Sequence, residues 1–312
     1  MVDKKISHTK MSGEVEPASE LTPELRAFVE FVAKKGCELY RDLPWRRTYD
    51  PYAIWISEVM LQQTQVSRVD GRWQRWLERF PTVDALAAAA PSDVLEEWQG
   101  LGYNRRALSV HRAAQAISEA GGVFPQDPKE LVKLPGIGPA TAAGIRAFAF
   151  NLHGVYLETN VRTVFLHELY PQAEGVPDSE LVPLVELTCP ASVADAAGAD
   201  ETELTPRSWY YALLDYGAYL KKTIPNPSRR SKSHVKQSRF EGSHRQKRAE
   251  LLRVLLAHKD EGGAVFETLH QELCQIEVNA GRETLDEQVT LGLLEELAKE
   301  GFCQKNDEYW LP

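Results

Sequence analysis

Cysteine is scarce in this chain: four in 312 residues, Cys37, Cys189, Cys274 and Cys303, all far apart. That spacing excludes a disulfide scaffold and offers no metal-ligand pattern; it fits reduced, mostly buried thiols. Long apolar runs are missing too. None reaches the ~20 residues needed to span a bilayer. The opening MVDKKISHTKMSGEVEPASE lacks an apolar signal core, so residues 1–20 read as a disordered tail on a soluble protein. Alternating strand patterns are absent until the last dozen residues. Positive charge is in deficit, with a net charge of −9. Yet Lys221 to Arg248 hold ten Lys or Arg against one acid, Glu241. Such a run is either a solvated linker or a segment that tracks phosphates.

What the chain does have is the stretch from Leu134 to Asn160, LPGIGPATAAGIRAFAFNLHGVYLETN. Its first residues sit between two helix-periodic segments, the second carrying Thr141, Ala142, Ile145 and Ala149 at helical spacing. Gly136 and Gly138 permit a tight turn with backbone angles closed to other residues. Pro139 suits the first turn of the next helix. A glycine hairpin before a helix points free amides outward, which makes a phosphate site. An ordinary helix corner uses the same glycines, so the rest of the chain decides. Glu158 follows about twenty residues on.

A helix is expected over Leu21 to Leu39, with Leu25, Phe28, Val29, Phe31 and Val32 on an apolar stripe. After the loop marked by Pro44 and Pro51, a second helix is expected from Ala53 to Val66. Trp55, Glu58 and Gln62 then share a face. Ile54, Ile56, Val59, Met60 and Leu61 make the rest of that helix apolar. A carboxyl group in such surroundings has a raised pKa, the condition a general acid needs near neutral pH. A surface Glu on a helix edge is the plain alternative. Trp73, Trp76, Tyr210, Tyr211 and Tyr219 read as core. His153, His167, His234 and His244 have no ligand spacing.

In order, the chain carries LPWR, PYAIWISEVMLQQTQV, FPTVDALAAA, VLEEWQGLGY, the hairpin and LETNVRTV. This set resembles the helix-hairpin-helix (HhH-GPD) DNA glycosylases, and within them the adenine DNA glycosylases of the MutY type, over roughly residues 25–217. The resemblance implies an all-α, two-lobed fold: a six-helix barrel at about 51–155, and a second lobe from 21–50 and 156–220. It implies a monofunctional enzyme of base excision repair that hydrolyses the N-glycosidic bond of a flipped, mispaired adenine. Glu58 matches the general acid. Glu158 matches the second carboxylate, normally Asp, and Asn160 its supporting Asn. Gln63 matches a residue that enters the base stack. Gln62, Tyr103, Gly136, Gly138, Ala140 and Thr141 fall with it on the DNA-contacting positions. Ala140 stands where bifunctional relatives have Lys, so no amine is there for Schiff-base chemistry. Asn104 replaces a second Tyr beside the partner base.

Many relatives hold an iron–sulfur cluster on four cysteines after the segment that here reads LLDYGA; this chain has none there, so a clusterless member is implied. The resemblance leaves room for a monovalent cation at the hairpin. It implies a monomer on mismatched or lesioned double-stranded DNA, cytoplasmic and nucleoid-associated, with no membrane partner. The basic run 221–248 is expected to be a linker whose Arg229, Arg230 and Lys232 take over phosphate contacts. Residues 249–312 suggest a small winged-helix-like domain of three helices and a terminal hairpin, fit for protein packing or for DNA reading. A glycosylase for another base, or a non-catalytic DNA-binding regulator, remains the alternative function.

Overall fold

The structure, a computed structural model, describes residues 21–193, 203–234 and 239–312. The tail expected over 1–20 and residues 235–238 of the basic run lie outside the described residues. Helix α1 (Pro23–Glu38) is capped by the Thr22 hydroxyl and buries Phe28 and Val32. Helix α2 (Pro51–Leu61) starts at the carboxylate of Asp50, which accepts from the amides of Tyr52 and Ala53, with Pro51 at its first position. Short helices follow: α3 (Val66–Val69), α4 (Arg72–Arg79), α5 (Val83–Ala87) and α6 (Pro91–Glu97). Helix α7 (Arg105–Glu119) leads to α8 (Pro128–Leu131), the hairpin, and α9 (Pro139–Phe150). Then come α10 (Thr159–Glu168), α11 (Asp178–Thr188) and α12 (Pro206–Thr223).

Two apolar cores form. One gathers Trp55, Ile56, Met60, Trp76, Trp98 and Ile145. The other gathers Phe28, Ile54, Phe148, Phe165 and Trp209. Truncating one of the fully buried tryptophans to Ala costs about 3–5 kcal/mol. Helices α2 and α9 feed both cores, so their shared edge is the seam between the lobes. Ile54 points into the second core and Glu58 lies one turn further along the same face. Helical periodicity therefore puts Glu58 on the seam. Trp55, three residues before Glu58, is wholly buried in the first core.

The last unit is α13 (His244–Ala257), β1 (Ala264–Val265), α14 (Phe266–Asn279), α15 (Glu287–Glu300), β2 (Gln304–Asn306) and β3 (Tyr309–Leu311). The sheet order is β1-β3-β2, all antiparallel, the layout of a winged helix. Its Leu251, Leu255, Leu269, Leu294 and Trp310 belong to the same apolar cluster as the first lobe. Lys259 pairs with Asp93 at 2.7 Å and Glu96 at 2.6 Å across that interface. Arg105 and Arg248 both grip Glu300, whose carboxyl they hold down at about 2.

Candidate active site

Glu58 projects from α2 against Gly144 of α9, the helix on the other side of the seam. A Cβ on Gly144 would lie 2.5 Å from Glu58 Oε2 and 2.9 Å from the Tyr156 ring, so a larger residue there would force the carboxyl group to shift. Desolvation raises the Glu58 pKa to about 7. The Tyr156 hydroxyl donates to it and Arg46 attracts it, both pulling the other way, while the charge of Glu158 adds to the rise. Tyr156 is itself buried, and packs its ring on Phe148 and Tyr210.

Glu158 sits at the N-cap of α10. Its Oε1 accepts from the amides of Asn160 at 2.5 Å and Val161 at 3.0 Å. A carboxylate there completes orphan amides and meets the positive end of the helix. Burial raises the Glu158 pKa, and those amides together with Lys221 and Arg162 oppose the rise. Asn160 holds the arrangement from the side: its Nδ2 lies 3.5 Å from Glu158 Oε2, and its Oδ1 accepts from Lys221 Nζ at 3.0 Å. Gly217 of α12 lets this turn approach, since a Cβ there would collide with the Asn160 carbonyl. The two carboxylates are thus brought together from residues 100 apart in sequence.

Behind them lies a buried ion cluster. Arg46 of the LPWR motif makes two bonds to Asp215 of α12, at 2.7 and 2.8 Å, and Arg41 adds a third at 2.5 Å. The Arg46 guanidinium lies 4.3 Å from the Tyr211 ring centre, and that ring stacks on Phe148. Asp215 and Arg46 hold α12 to the segment that precedes α2.

At the hairpin, Gly136 has φ +76°, and a Cβ on it would press into Ser109 of α7 at 2.6 Å. Gly136 therefore needs its freedom. Gly138 does not: its φ is −85°, which any residue adopts, and open space lies before it. Ala140 follows within the first turn of α9, and Thr141 is buried and bonded to Gln62 Nε2 at 3.0 Å.

Helix α2 ends at Leu61, five residues short of the expected Val66. Gln62 leaves helical angles and Gln63 has φ +54°. Tyr103 has φ +51° and is 42% exposed, and Asn104 is the N-cap of α7. Backbone angles of this kind cost free energy and mark places where the surroundings fix the chain.

The basic run departs from a free linker. Lys221 and Lys222 belong to α12, and residues 227–230 form a 3-10 turn with Pro227 and Ser228 buried. Arg230 bonds the carbonyls of Tyr170 at 2.5 Å and Leu166 at 2.8 Å, at the end of α10, so its guanidinium stabilises that helix end. Arg229 and Lys232 are exposed. Of the tyrosines expected in the core, Tyr210 and Tyr211 are buried, whereas Tyr219 is 45% exposed. Of the thiols expected to be mostly buried, Cys189 and Cys303 are, Cys274 is half-buried and Cys37 is exposed.

Sequence reasoning missed Tyr156, Gly144, Lys221 and Arg106. Each acts through a partner more than 40 residues away, and no local spacing signals it.

Residues 56–205 match the model of the HhH-GPD superfamily base excision DNA repair proteins. An adenine DNA glycosylase of Mycolicibacterium smegmatis is 37% identical over 223 residues, 69% of this chain and 75% of that one. One of Mycobacterium tuberculosis is 36% identical over 234 residues, 70% of this chain and 75% of that one. A thermostable thymine-DNA glycosylase matches in fold with a TM-score of 0.55 and 22% identity, over 65% of this chain and 90% of that one. The chain therefore belongs to the HhH-GPD superfamily of base excision DNA repair proteins, in its adenine DNA glycosylase family.

Proposed function

We propose that the protein is a monofunctional DNA glycosylase that hydrolyses the N-glycosidic bond of a mispaired adenine flipped out of the duplex. The observation that carries this reading is Glu58: a carboxyl group held at about 7 on the seam, with Glu158 close enough to couple to it. Protonated, Glu58 donates to a ring nitrogen of adenine, which turns a poor leaving group into a good one. The C1′–N bond breaks with its electron pair going to the base. Glu158, ionised and fixed by its two amides, stabilises the positive charge left on the sugar. Water adds to C1′ and an abasic site remains. Asn160 and Lys221 hold Glu158 in place.

Ala140 supplies no amine, so strand cleavage through a Schiff base is not part of the reaction. The donor set does not fit a four-thiolate iron–sulfur cluster either. Cys37 lies on α1, Cys189 follows α11, and Cys274 and Cys303 belong to the winged helix. Among the described residues no group of three or more His, Cys, Asp or Glu could hold a metal ion. The partner is double-stranded DNA carrying a mismatch, met by a single copy of the chain.

The test is a panel of duplexes, each with one mismatch or lesion, incubated with the protein and then with alkali. Breaks at adenine opposite guanine or oxidised guanine, seen only after alkali, are expected. Breaks at thymine, or breaks without alkali, would overturn the reading.

A further inference from the structure

Arg106, in the first turn of α7, is placed among oxygens rather than beside a carboxylate. Its Nη1 bonds the carbonyls of Gln62 at 2.6 Å, Val59 at 2.7 Å and Met60 at 3.3 Å. Its Nη2 bonds the carbonyls of Gly102 at 2.9 Å and Leu101 at 3.3 Å, and the Thr64 hydroxyl at 3.3 Å. The first set ends α2. The second closes the Gly-Leu-Gly-Tyr turn. Gln62 and Gly102 immediately precede Gln63 and Tyr103, non-glycine residues with φ of +54° and +51°. Such angles cost ~1–2 kcal/mol each for an L residue, so something must hold them. A guanidinium is a rigid planar fork of donors and can take several carbonyls at fixed angles. The Thr64 hydroxyl also bonds the Leu101 carbonyl at 3.4 Å, directly between the two turns. Burial lowers the Arg106 pKa to about 10, which leaves it cationic at neutral pH.

We propose that Arg106 is a positioning residue that locks the Gln62–Gln63 turn and the Gly102–Tyr103 turn into one unit, so that both meet the duplex together. The proposal rests on the function above only in taking these turns as the DNA-facing ones. Helix α2, which carries Glu58, ends in this clamp, so the same guanidinium fixes the acid's helix relative to the probing turns. Lys is no substitute, because its three donors radiate from one point and cannot span both turns.

The test is amide hydrogen exchange without DNA, so it stands apart from the duplex panel. The Thr64 amide bonds the Leu61 carbonyl and the Leu101 amide bonds the Trp98 carbonyl, one reporter in each turn. In the wild-type protein the two should open with the same protection and respond equally to mild denaturant. In Arg106→Lys both should exchange at least ~10-fold faster, the loss of about one good hydrogen bond. The Ala142 amide, bonded to Gly138 on the hairpin side, should be unchanged. Single-turnover excision should fall by ~10²-fold through misplacement. Wild-type protections that differ more than ~10-fold would overturn the clamp, even if Arg106→Lys does not fold. So would a variant in which only one turn loosens.

Discussion

Glu58 and Glu158 are the same side chain in two different settings. Glu58 stands mid-helix, where no backbone amide is free, and faces a glycine, a phenol and another carboxylate. Glu158 stands at a helix N-terminus, where two amides bond it and Lys221 and Arg162 lie near. Burial raises both. Only at Glu158 is that rise opposed by four donors and cations. The backbone position thus sets the two carboxyl groups apart: backbone amides oppose the rise at Glu158, and none does at Glu58.

The largest effect comes from removing either function. Glu58→Gln and Glu158→Gln should each lose at least ~10²–10⁴ in single-turnover excision while binding mismatched duplex nearly as wild type does. The folded pKa of Glu58 is above its ordinary value, so its favourable contribution is full below about 4.5 and declines as pH rises to about 7. Thermal melts of Glu58→Gln should therefore gain on wild type across that window, by up to ~1.4 kcal/mol per pH unit. Unchanged excision in either variant would remove that residue from the mechanism.

Next is Glu158→Asp. Asp is a good helix cap, so the melting temperature should hold. The shorter side chain that reaches the amides then withdraws ~1 Å from the sugar, and excision should fall by ~10²-fold. Full activity of the Asp variant would mean that the site does not depend on the longer reach. Gly144→Ala sharpens the other half of the comparison. Its methyl would meet Glu58 Oε2 at 2.5 Å, so excision should fall ~10-fold or more with DNA affinity unaltered. An alanine variant with wild-type rate would show that the acid has room to move.

The smallest effect lies outside the carboxylate pair. Removing the exposed charges of Arg229 and Lys232 should weaken matched and mismatched duplex alike. It should flatten the salt slope by ~0.9 for each phosphate no longer neutralised. Arg230→Ala should instead lower thermal stability, because that side chain bonds the end of α10. A variant lacking Arg229 and Lys232 with an unchanged slope would make the segment a plain connector.

The helices and the hairpin were legible because each is written in local spacing, whereas the pairing of Glu158 with Glu58 came from the family resemblance. Asp50-Pro51 opens α2, Gly136-Ile-Gly138-Pro makes the hairpin, and apolar neighbours around Glu58 raise its pKa. The early end of α2 was not legible. Gln62, Gln63 and Thr64 are compatible with helix, and the group that bonds the turn they form is Arg106, more than 40 residues on. Tyr156 was hidden for the same reason: its partner Glu58 is almost 100 residues away. The hairpin sequence marks Gly138 as a conformational need, while its angles are ordinary. Arg230 was counted with the phosphate-facing charges, because composition does not distinguish a guanidinium bonded to carbonyls from one in solvent.

The central claim is that Glu58 is the acid and that burial sets its pKa. The most direct measurement is the pH dependence of single-turnover excision between pH 5 and 9 for wild type, Tyr156→Phe and Glu58→Gln. Wild type should lose activity as pH rises through about 7, close to tenfold per unit beyond it. Tyr156→Phe removes a donor to the charged form, so its alkaline limb should move to higher pH, by ~1 unit for one hydrogen bond. The residual rate of Glu58→Gln should show no such limb. A wild-type rate flat to pH 9, or a limb that persists in Glu58→Gln, would contradict the account.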